Sequence, residues 1–203
     1  MKDKILILFS GGMDSCGVLY KCLTEPEYDH LDVHAHHVHL INRLHRDKAE
    51  AIACKNITKW LRKQGHQFEY TESTVDYSFA SALPWDTEIC WCIGAMIAQT
   101  DISIKYAEAG RHAEDEDASA HPIVIERLDK VFEYMTASQH RNFEPVKNLP
   151  VVKHMSKKEI WFYLPEELRK MVWFCRAPIN KGESIEPCWK CHTCEYVKDN
   201  KLI

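Results

Sequence analysis

The sequence predicts an α/β fold, a doubly wound parallel sheet followed by a C-terminal zinc-binding segment. Three observations support this prediction. Apolar runs alternate with helical patterns along most of the chain, a Ser-Gly-Gly turn follows the first apolar run, and four cysteines cluster near the C-terminus. Alternating strands and helices are typical of a parallel sheet with helices on both faces. Such sheets bind ligands beyond the carboxyl ends of their strands, where the Ser-Gly-Gly turn would lie.

The elements follow from the hydrophobic pattern and from the residues that interrupt it. Residues 5–9 form an unbroken apolar run typical of a buried parallel strand, and a helical pattern over 14–23 follows it. Gly65 stops the second helix and Gly110 ends the fourth strand. The stretch 112–121 is acidic and low in large apolar residues, which predicts an exposed loop at the edge of the site. The other predicted elements are strands over 31–40, 67–72 and 102–109 and helices over 43–63, 87–99 and 123–136.

Composition bounds the class of protein. The chain has 203 residues, of which 45% are hydrophobic and 28% charged, as expected for a soluble domain with a sizeable core. We expect residues 1–145 to form the α/β domain and 146–203 a helical segment packed on it. No apolar stretch approaches the ~20 residues that span a bilayer, and the N-terminus lacks a signal-peptide pattern. The net charge of −4 argues against a large nucleic-acid surface. A cytoplasmic enzyme without membrane or nucleic-acid partners is therefore expected.

The turn after the first strand, S-G-G-M-D-S at 10–15, is the most specific motif. Two glycines let the backbone turn sharply and approach a ligand closely. Asp14 and Ser15 suit the first turn of the next helix, where backbone N–H groups and the helix dipole favour an anion. The arrangement predicts a phosphate-binding loop. It differs from the Walker loop and the dinucleotide fingerprint, neither of which occurs in the chain.

The C-terminal cysteines predict a metal site. Cys188, Cys191 and Cys194 have C-x2-C-x2-C spacing, and Cys175 lies upstream of them. Disulfides are rare in reducing compartments, so such a cluster indicates metal binding. Four thiolates suit a closed, tetrahedral zinc site that would hold a proline-rich segment with little core of its own. His192 is an alternative ligand, and an iron–sulfur cluster is an alternative occupant.

Histidines of the second predicted strand are weaker candidates. His34 and His36 share one strand face and His37 and His39 the other, so no face collects three ligands. We therefore expect no metal site there. The remaining cysteines are expected to be small buried hydrophobes.

With these motifs in this order, the chain resembles the PP-loop ATP pyrophosphatases and, among them, the 7-cyano-7-deazaguanine synthase family. The similarity runs nearly end to end and implies the adenine-nucleotide α-hydrolase-like fold. The residues that carry it are the loop at 10–15, His45 with Glu50, Gly110 with Glu114 and Asp115, the sequence Lys157-Lys158-Glu159-Ile160, and the four C-terminal cysteines.

The resemblance implies an ATP-dependent C–N ligase. The carboxylate of 7-carboxy-7-deazaguanine would attack the α-phosphate of ATP, ammonia would displace AMP to give an amide, and a second activation would dehydrate the amide to a nitrile. Implied cofactors are ATP, Mg²⁺ and structural Zn²⁺; the implied partners are the deazapurine carboxylate and ammonia, and a homodimer is left open.

The same resemblance assigns roles to individual residues. Asp14 would hold Mg²⁺, Lys157 would neutralise phosphate charge, and His45 would orient nucleotide or substrate. The implied ATP-binding residues are Phe9, Ser10, Gly11, Gly12, Met13, Asp14 and Ser15, and the substrate-loop candidates are Asp86, Thr87, Glu114 and Asp115.

Two stretches depart from the family pattern. The family's Pro-Gly-Arg-Asn is P-W-D-T at 84–87, so an acid replaces a cation, and its Tyr-Pro-Asp-Cys-Arg is S-A-H-P at 119–122. Both stretches would touch the substrate. The resemblance therefore supports the adenylation step more directly than it supports the identity of the substrate. Open alternatives are an enzyme that stops at the amide or uses another carboxylate, a tRNA sulfurtransferase, and a non-enzymatic module that binds zinc and nucleotide.

Overall fold

The computed structural model describes residues 2–80, 86–114, 123–182 and 184–202, with the backbone alone for 123–125. A five-stranded parallel sheet forms its centre, in the order β3-β2-β1-β4-β5. The chain starts in the middle of the sheet and winds outward on both sides, so the predicted fold class is confirmed. The strands are β1 (Asp3–Leu8), β2 (Leu31–Ile41), β3 (Glu69–Asp76), β4 (Ile104–Glu108) and β5 (Lys147–Asn148).

Helices cover both faces of this sheet, and none of those described is long and apolar enough to cross a membrane. A small antiparallel hairpin, β6 (Ile179–Lys181) and β7 (Ser184–Glu186), follows in the C-terminal segment. The helices are α1 (Met13–Thr24), α2 (Asp47–Lys63), α3 (Asp86–Thr100), α4 (Ile123–Thr136), α5 (Lys157–Tyr163), α6 (Glu166–Arg169) and α7 (His192–Asp199).

The alternation of β1 side chains divides the core into two layers. Ile5 and Ile7 face a layer that contains α1, α2 and the segment after residue 150, whereas Leu6 and Leu8 face α3 and α4. All four side chains are buried, because a central parallel strand has helices on both of its faces. The C-terminal segment thus shares the core of the sheet, and Cys194 and Val197 of α7 are fully buried.

Several boundaries differ from the sequence-based prediction. The α2 helix begins at Asp47 instead of residue 43, because His45 has a φ of 51°, which a right-handed helix cannot accommodate. The β3 strand extends to Asp76, since its ladder with β2 continues that far. The two-residue strand β5 and the hairpin were not predicted, because their short polar sequences carry no hydrophobic period.

A steric prediction follows from the contact between α1 and α5. A Cβ added to Gly17 would lie 2.6 Å from Cγ2 of Ile160. We expect Gly17→Ala to lower the free energy of unfolding by about 1–3 kcal/mol, since the overlap outweighs the better helix propensity of alanine. Urea unfolding measures the loss. In an Ile160→Ala background the overlapping methyl group is absent, so Gly17→Ala should no longer destabilise; strictly additive losses would contradict the proposed overlap.

Candidate functional site

A cavity of about 470 Å³ lies at the carboxyl ends of β1, β2 and β4. Its walls come from the loop after β1, from α2 and α3, and from the C-terminal segment. Three groups of side chains line it: Ser10, Met13, Asp14 and Lys157 at the loop; Arg46, Glu50, Asp86, Thr87 and Cys90 at the α2–α3 side; Trp173, Phe174, Arg176, Thr193 and Tyr196 at the C-terminal side.

The Ser10 loop is held by its own hydroxyl groups. The Ser10 N–H donates to Oγ of Ser15 at 3.2 Å, and Oγ of Ser15 donates to the Gly12 carbonyl at 3.3 Å. The Gly12 N–H donates to Oγ of Ser10 at 3.3 Å. Ser15 is buried and supports the loop from behind, whereas Ser10 is exposed. The loop is therefore preorganised at the N-terminus of α1, where an anion is favoured.

Two glycines with positive φ allow the Ser10 loop to pack closely against α2 and against the turn after β4. Gly11 has a φ of +71°, and an added Cβ would lie 2.9 Å from Sγ of Cys54 on α2. Gly110, just after β4, has a φ of +79°, and its Cβ would lie 2.7 Å from the Ser15 nitrogen. A side chain at either position would push the loop away from its neighbours. The turn after β4 is fixed by the buried Glu108, whose Oε1 accepts the N–H groups of Ala109 and Gly110 at 2.8 and 2.9 Å.

Asp14 and Lys157 meet at the cavity. Oδ2 of Asp14 lies 3.6 Å from Nζ of Lys157, and both side chains remain partly exposed. Lys157 is the first residue of α5, which begins with a capping box formed by Ser156 and Glu159. The cap fixes the position of Lys157 beside the first turn of α1. An anionic and a cationic group thus lie together at the loop, as phosphate and a hard cation would require.

His112 and Glu114 form a layer behind this pair. His112 is buried although it begins the stretch predicted to be an exposed loop; Asp115 and the rest of that stretch to 121 lie outside the described residues. Nδ1 of His112 accepts the Glu114 N–H at 3.2 Å, and its Nε2 lies 4.0 Å from Oδ2 of Asp14. The Glu114 carboxylate accepts the Lys157 N–H at 3.3 Å and the Tyr196 hydroxyl at 3.3 Å. Glu114 therefore positions Lys157 and does not line the cavity.

Asp86, which stands where the family resembled by the sequence has a cation, is bound by neighbouring donors. Its carboxylate accepts the guanidinium of Arg46, the hydroxyl of Tyr77 and Nδ2 of Asn42, the last at 3.2 Å. Arg46 also forms an ion pair with Glu50, Nε to Oε1 at 3.1 Å. A cation at this side of the cavity thus comes from the residue just before α2. Sequence reasoning missed Arg46, because nothing local indicates that α2 and α3 meet here.

Predicted site residues do not all reach the cavity. Thr87 is exposed and lines it. His45 is exposed on the loop before α2 and is not among the lining residues, whereas its neighbour Arg46 is. Phe9 lines the cavity, and its carbonyl accepts Nδ1–H of His37 at 3.0 Å. Burial lowers the pKa of His37 to about 4, so this imidazole is neutral near pH 7.

The other strand histidines are bonded to β3. His34 and His36 share the hydroxyl of Thr71 at 2.6 and 2.7 Å, and His36 also contacts Oγ of Ser73 at 2.9 Å. Burial lowers the pKa of His36 to about 4. His37 and His39 lie on the opposite strand face, with ring centroids 4.5 Å apart. These contacts are structural, and they form no metal-binding group within the part of the chain that is described.

Trp173 joins the cysteine segment to the Ser10 loop. Its backbone N–H donates to the Gly11 carbonyl at 2.9 Å, and its indole N–H donates to the Cys175 carbonyl at 2.8 Å. Phe174 stacks beside it, with ring centroids 6.3 Å apart. Both rings line the cavity and offer apolar faces to a planar ligand.

The four C-terminal cysteines form a candidate metal centre. Their Sγ atoms all lie within 4.8 Å of one another. Backbone N–H groups of Lys190 and Cys191 donate to Sγ of Cys188 at 3.5 and 3.3 Å and lower its pKa to about 6, which favours the thiolate. A tetrahedral ion with Zn–S bonds of about 2.3 Å would hold its sulfurs roughly 3.8 Å apart. The group therefore fits a single ion, and His192 lies outside it on the surface.

Comparisons with known proteins bear on the fold. No protein-family model and no curated protein matches the sequence. Among solved structures, the chain is similar to the U34-tRNA thiolase NcsA from Methanococcus maripaludis with its 4Fe-4S cluster, at a TM-score of 0.54 and 14% identity. The match covers 98% of this chain and 64% of that one, so the chain spans less than two thirds of its neighbour. This similarity shows that the chain shares an α/β fold with that protein.

Proposed function

We propose that the protein is an ATP-dependent ligase that adenylates the carboxylate of 7-carboxy-7-deazaguanine and converts it with ammonia, through the amide, to 7-cyano-7-deazaguanine. The observation that supports this most directly is the Ser10 loop, which faces a 470 Å³ cavity with Asp14 and Lys157 3.6 Å apart at its mouth. A cavity of this size suits small-molecule substrates. The resemblance of the sequence motifs supplies the substrate.

The reaction assigns a task to each wall of the cavity. The loop N–H groups and Lys157 stabilise the charge that develops on the α-phosphate when the carboxylate attacks it. Asp14 would hold Mg²⁺, which supplies charge neutralisation at the phosphate oxygens when bound. Trp173 and Phe174 line the cavity and provide apolar ring surface on which a planar heterocycle can stack.

We propose zinc as the occupant of the cysteine centre, in a structural role. The sulfurs lie close enough for one tetrahedral ion, whereas a four-iron cube would hold them farther apart because each cysteine would ligate a different iron. Cys175 of the centre lies two residues after Trp173, whose backbone N–H bonds to Gly11. A bound ion would therefore fix the position of Trp173 beside the Ser10 loop.

The solved neighbour favours a second candidate function, tRNA thiolation, because that protein is a U34-tRNA thiolase. Sulfur transfer by a cysteine nucleophile would need a reactive cysteine in the cavity. Cys175 lines the cavity as a member of the cysteine centre. Cys90 also lines it, but burial raises the pKa of Cys90 to about 12, which suppresses the thiolate. The net charge of −4 also disfavours tRNA binding. We therefore place the ligase first.

The test is incubation of the purified protein with ATP, Mg²⁺, ammonium and 7-carboxy-7-deazaguanine, followed by mass spectrometry. AMP together with the nitrile is the expected result. An amide endpoint would mean that the altered stretches 84–87 and 119–122 truncate the reaction. AMP formed only with another carboxylate would retain the mechanism and replace the substrate. Absence of AMP with every acceptor would overturn the proposal.

A further inference from the structure

Glu50 is a buried carboxylate that the loop chemistry leaves unused. It is 8% exposed and lines the cavity. Its ion pair with Arg46 joins Oε1 to Nε at 3.1 Å, and no second donor to its carboxylate lies among the described residues. A buried carboxylate has two oxygens to satisfy, so Oε2, which no described donor contacts, can accept a hydrogen bond from a ligand in the cavity.

The position of Glu50 brings it to the reacting end of the cavity. Ala53 and Cys54, one turn further along α2, abut the Ser10 loop, since a Cβ on Gly11 would lie 3.0 and 2.9 Å from their side chains. Residues three apart share a helix face, and helical side chains lean toward the N-terminus. Glu50 therefore lies on the cavity side of α2, next to the loop where the acyl-adenylate would form.

The charges around Glu50 favour a small cation. Arg46 and Asp47 act on it from its own helix, Asp86 from α3, and Arg176 from the C-terminal segment. With Glu50 ionised, the charges that act around it, three carboxylates and two guanidinium groups, are net negative. Because Glu50 is only 8% exposed, a small donor reaches its carboxylate more easily than a large one. Burial raises the pKa of Glu50 to about 7, suited to accepting a proton at neutral pH.

We propose that Glu50 is a catalytic residue that binds ammonium and accepts its proton. This inference rests on the proposed function. Transfer of one proton from ammonium to the Glu50 carboxylate gives ammonia and the neutral acid. The ammonia lone pair attacks the acyl carbon of the adenylate, the C–N bond forms, the C–O bond to phosphate breaks, and AMP leaves with that electron pair. The adduct loses its surplus N–H proton to water, and Glu50 returns its proton to solvent.

Glu50→Gln separates this step from adenylation, because glutamine keeps the size of the side chain but cannot accept the proton. Amide formation from ammonium at pH 7.5 is expected to fall about 10²-fold or more. Carboxylate-dependent exchange of pyrophosphate into ATP, which reports adenylation alone, should persist. Hydroxylamine is already neutral at this pH, so it should still trap the acyl-adenylate as the hydroxamate. Glu133→Gln on α4, outside the cavity, is the matched control for loss of a carboxylate and should retain all three reactions.

The outcomes distinguish the two proposals. If the wild-type protein shows no exchange with 7-carboxy-7-deazaguanine, the proposed function fails and the assignment of Glu50 fails with it. If the wild type exchanges but Glu50→Gln makes amide at the wild-type rate, the base is another group and only the inference is overturned. Equal loss of exchange, hydroxamate and amide in Glu50→Gln would assign Glu50 to substrate positioning and would also overturn the inference.

Discussion

Replacing Asp14 with asparagine is expected to reduce carboxylate-dependent exchange of pyrophosphate into ATP by about 10²–10³-fold. Asp14 lies in the first turn of α1, 3.6 Å from Lys157, with part of its carboxylate exposed at the cavity. Asparagine keeps the shape but loses the charge that would hold Mg²⁺, while Lys157 loses its nearest anionic partner at the loop. The phosphate charge would then be neutralised poorly in the transition state.

Thermal melting provides the control for Asp14→Asn. Asp14 is partly exposed, so the melting temperature should change little compared with the rate. Glu27→Gln, in the short turn after α1 and outside the cavity, should exchange at the wild-type rate. Wild-type exchange in a folded Asp14→Asn protein would contradict the assignment of Asp14 and, with it, the location of the reaction at the Ser10 loop.

Substituting one of the clustered cysteines should have the largest effect on stability. Cys194→Ser removes a fully buried sulfur from the metal centre, and loss of a structural metal belongs to the changes that cost more than about 4 kcal/mol. Because Trp173 ties this segment to Gly11, the loop side of the cavity should loosen as well. We expect a lower melting temperature, loss of bound metal and weaker ATP binding in the same variant.

Metal analysis by mass spectrometry measures the occupant directly. The wild-type protein should contain about one zinc per chain, and Cys194→Ser should contain much less. Cys92→Ser changes an exposed cysteine outside the centre and should leave the metal content and melting temperature unchanged. Iron with acid-labile sulfide in the wild type would contradict the zinc assignment and favour the sulfur-transfer alternative. A metal-free wild type that melts like Cys194→Ser would show that no ion supports this segment.

Local patterns predicted the elements best where one physical preference dominated. The helix predicted over 123–136 matches α4 at both ends, and the apolar run at 5–9 matches β1 to within two residues. In both segments the hydrophobic pattern of the sequence corresponds to the side chains that the fold buries. The start of α2 was predicted too early, since a positive φ at His45 is invisible in a hydrophobic pattern. The strand β5 depends on its pairing with β4 and has no signal of its own.

For the site, the sequence by itself determined the Ser-Gly-Gly loop and the spacing of the last three cysteines, because each depends on neighbours along the chain. Only the tertiary structure decided which distant side chains meet there. Arg46, just before α2, pairs with Asp86 of α3, Trp173 bonds to Gly11, and Glu50 is buried at the cavity beside Arg46. Charge pairing and burial are properties of packed surfaces, and residues far apart in the chain acquire them only when the sheet brings their elements to one edge.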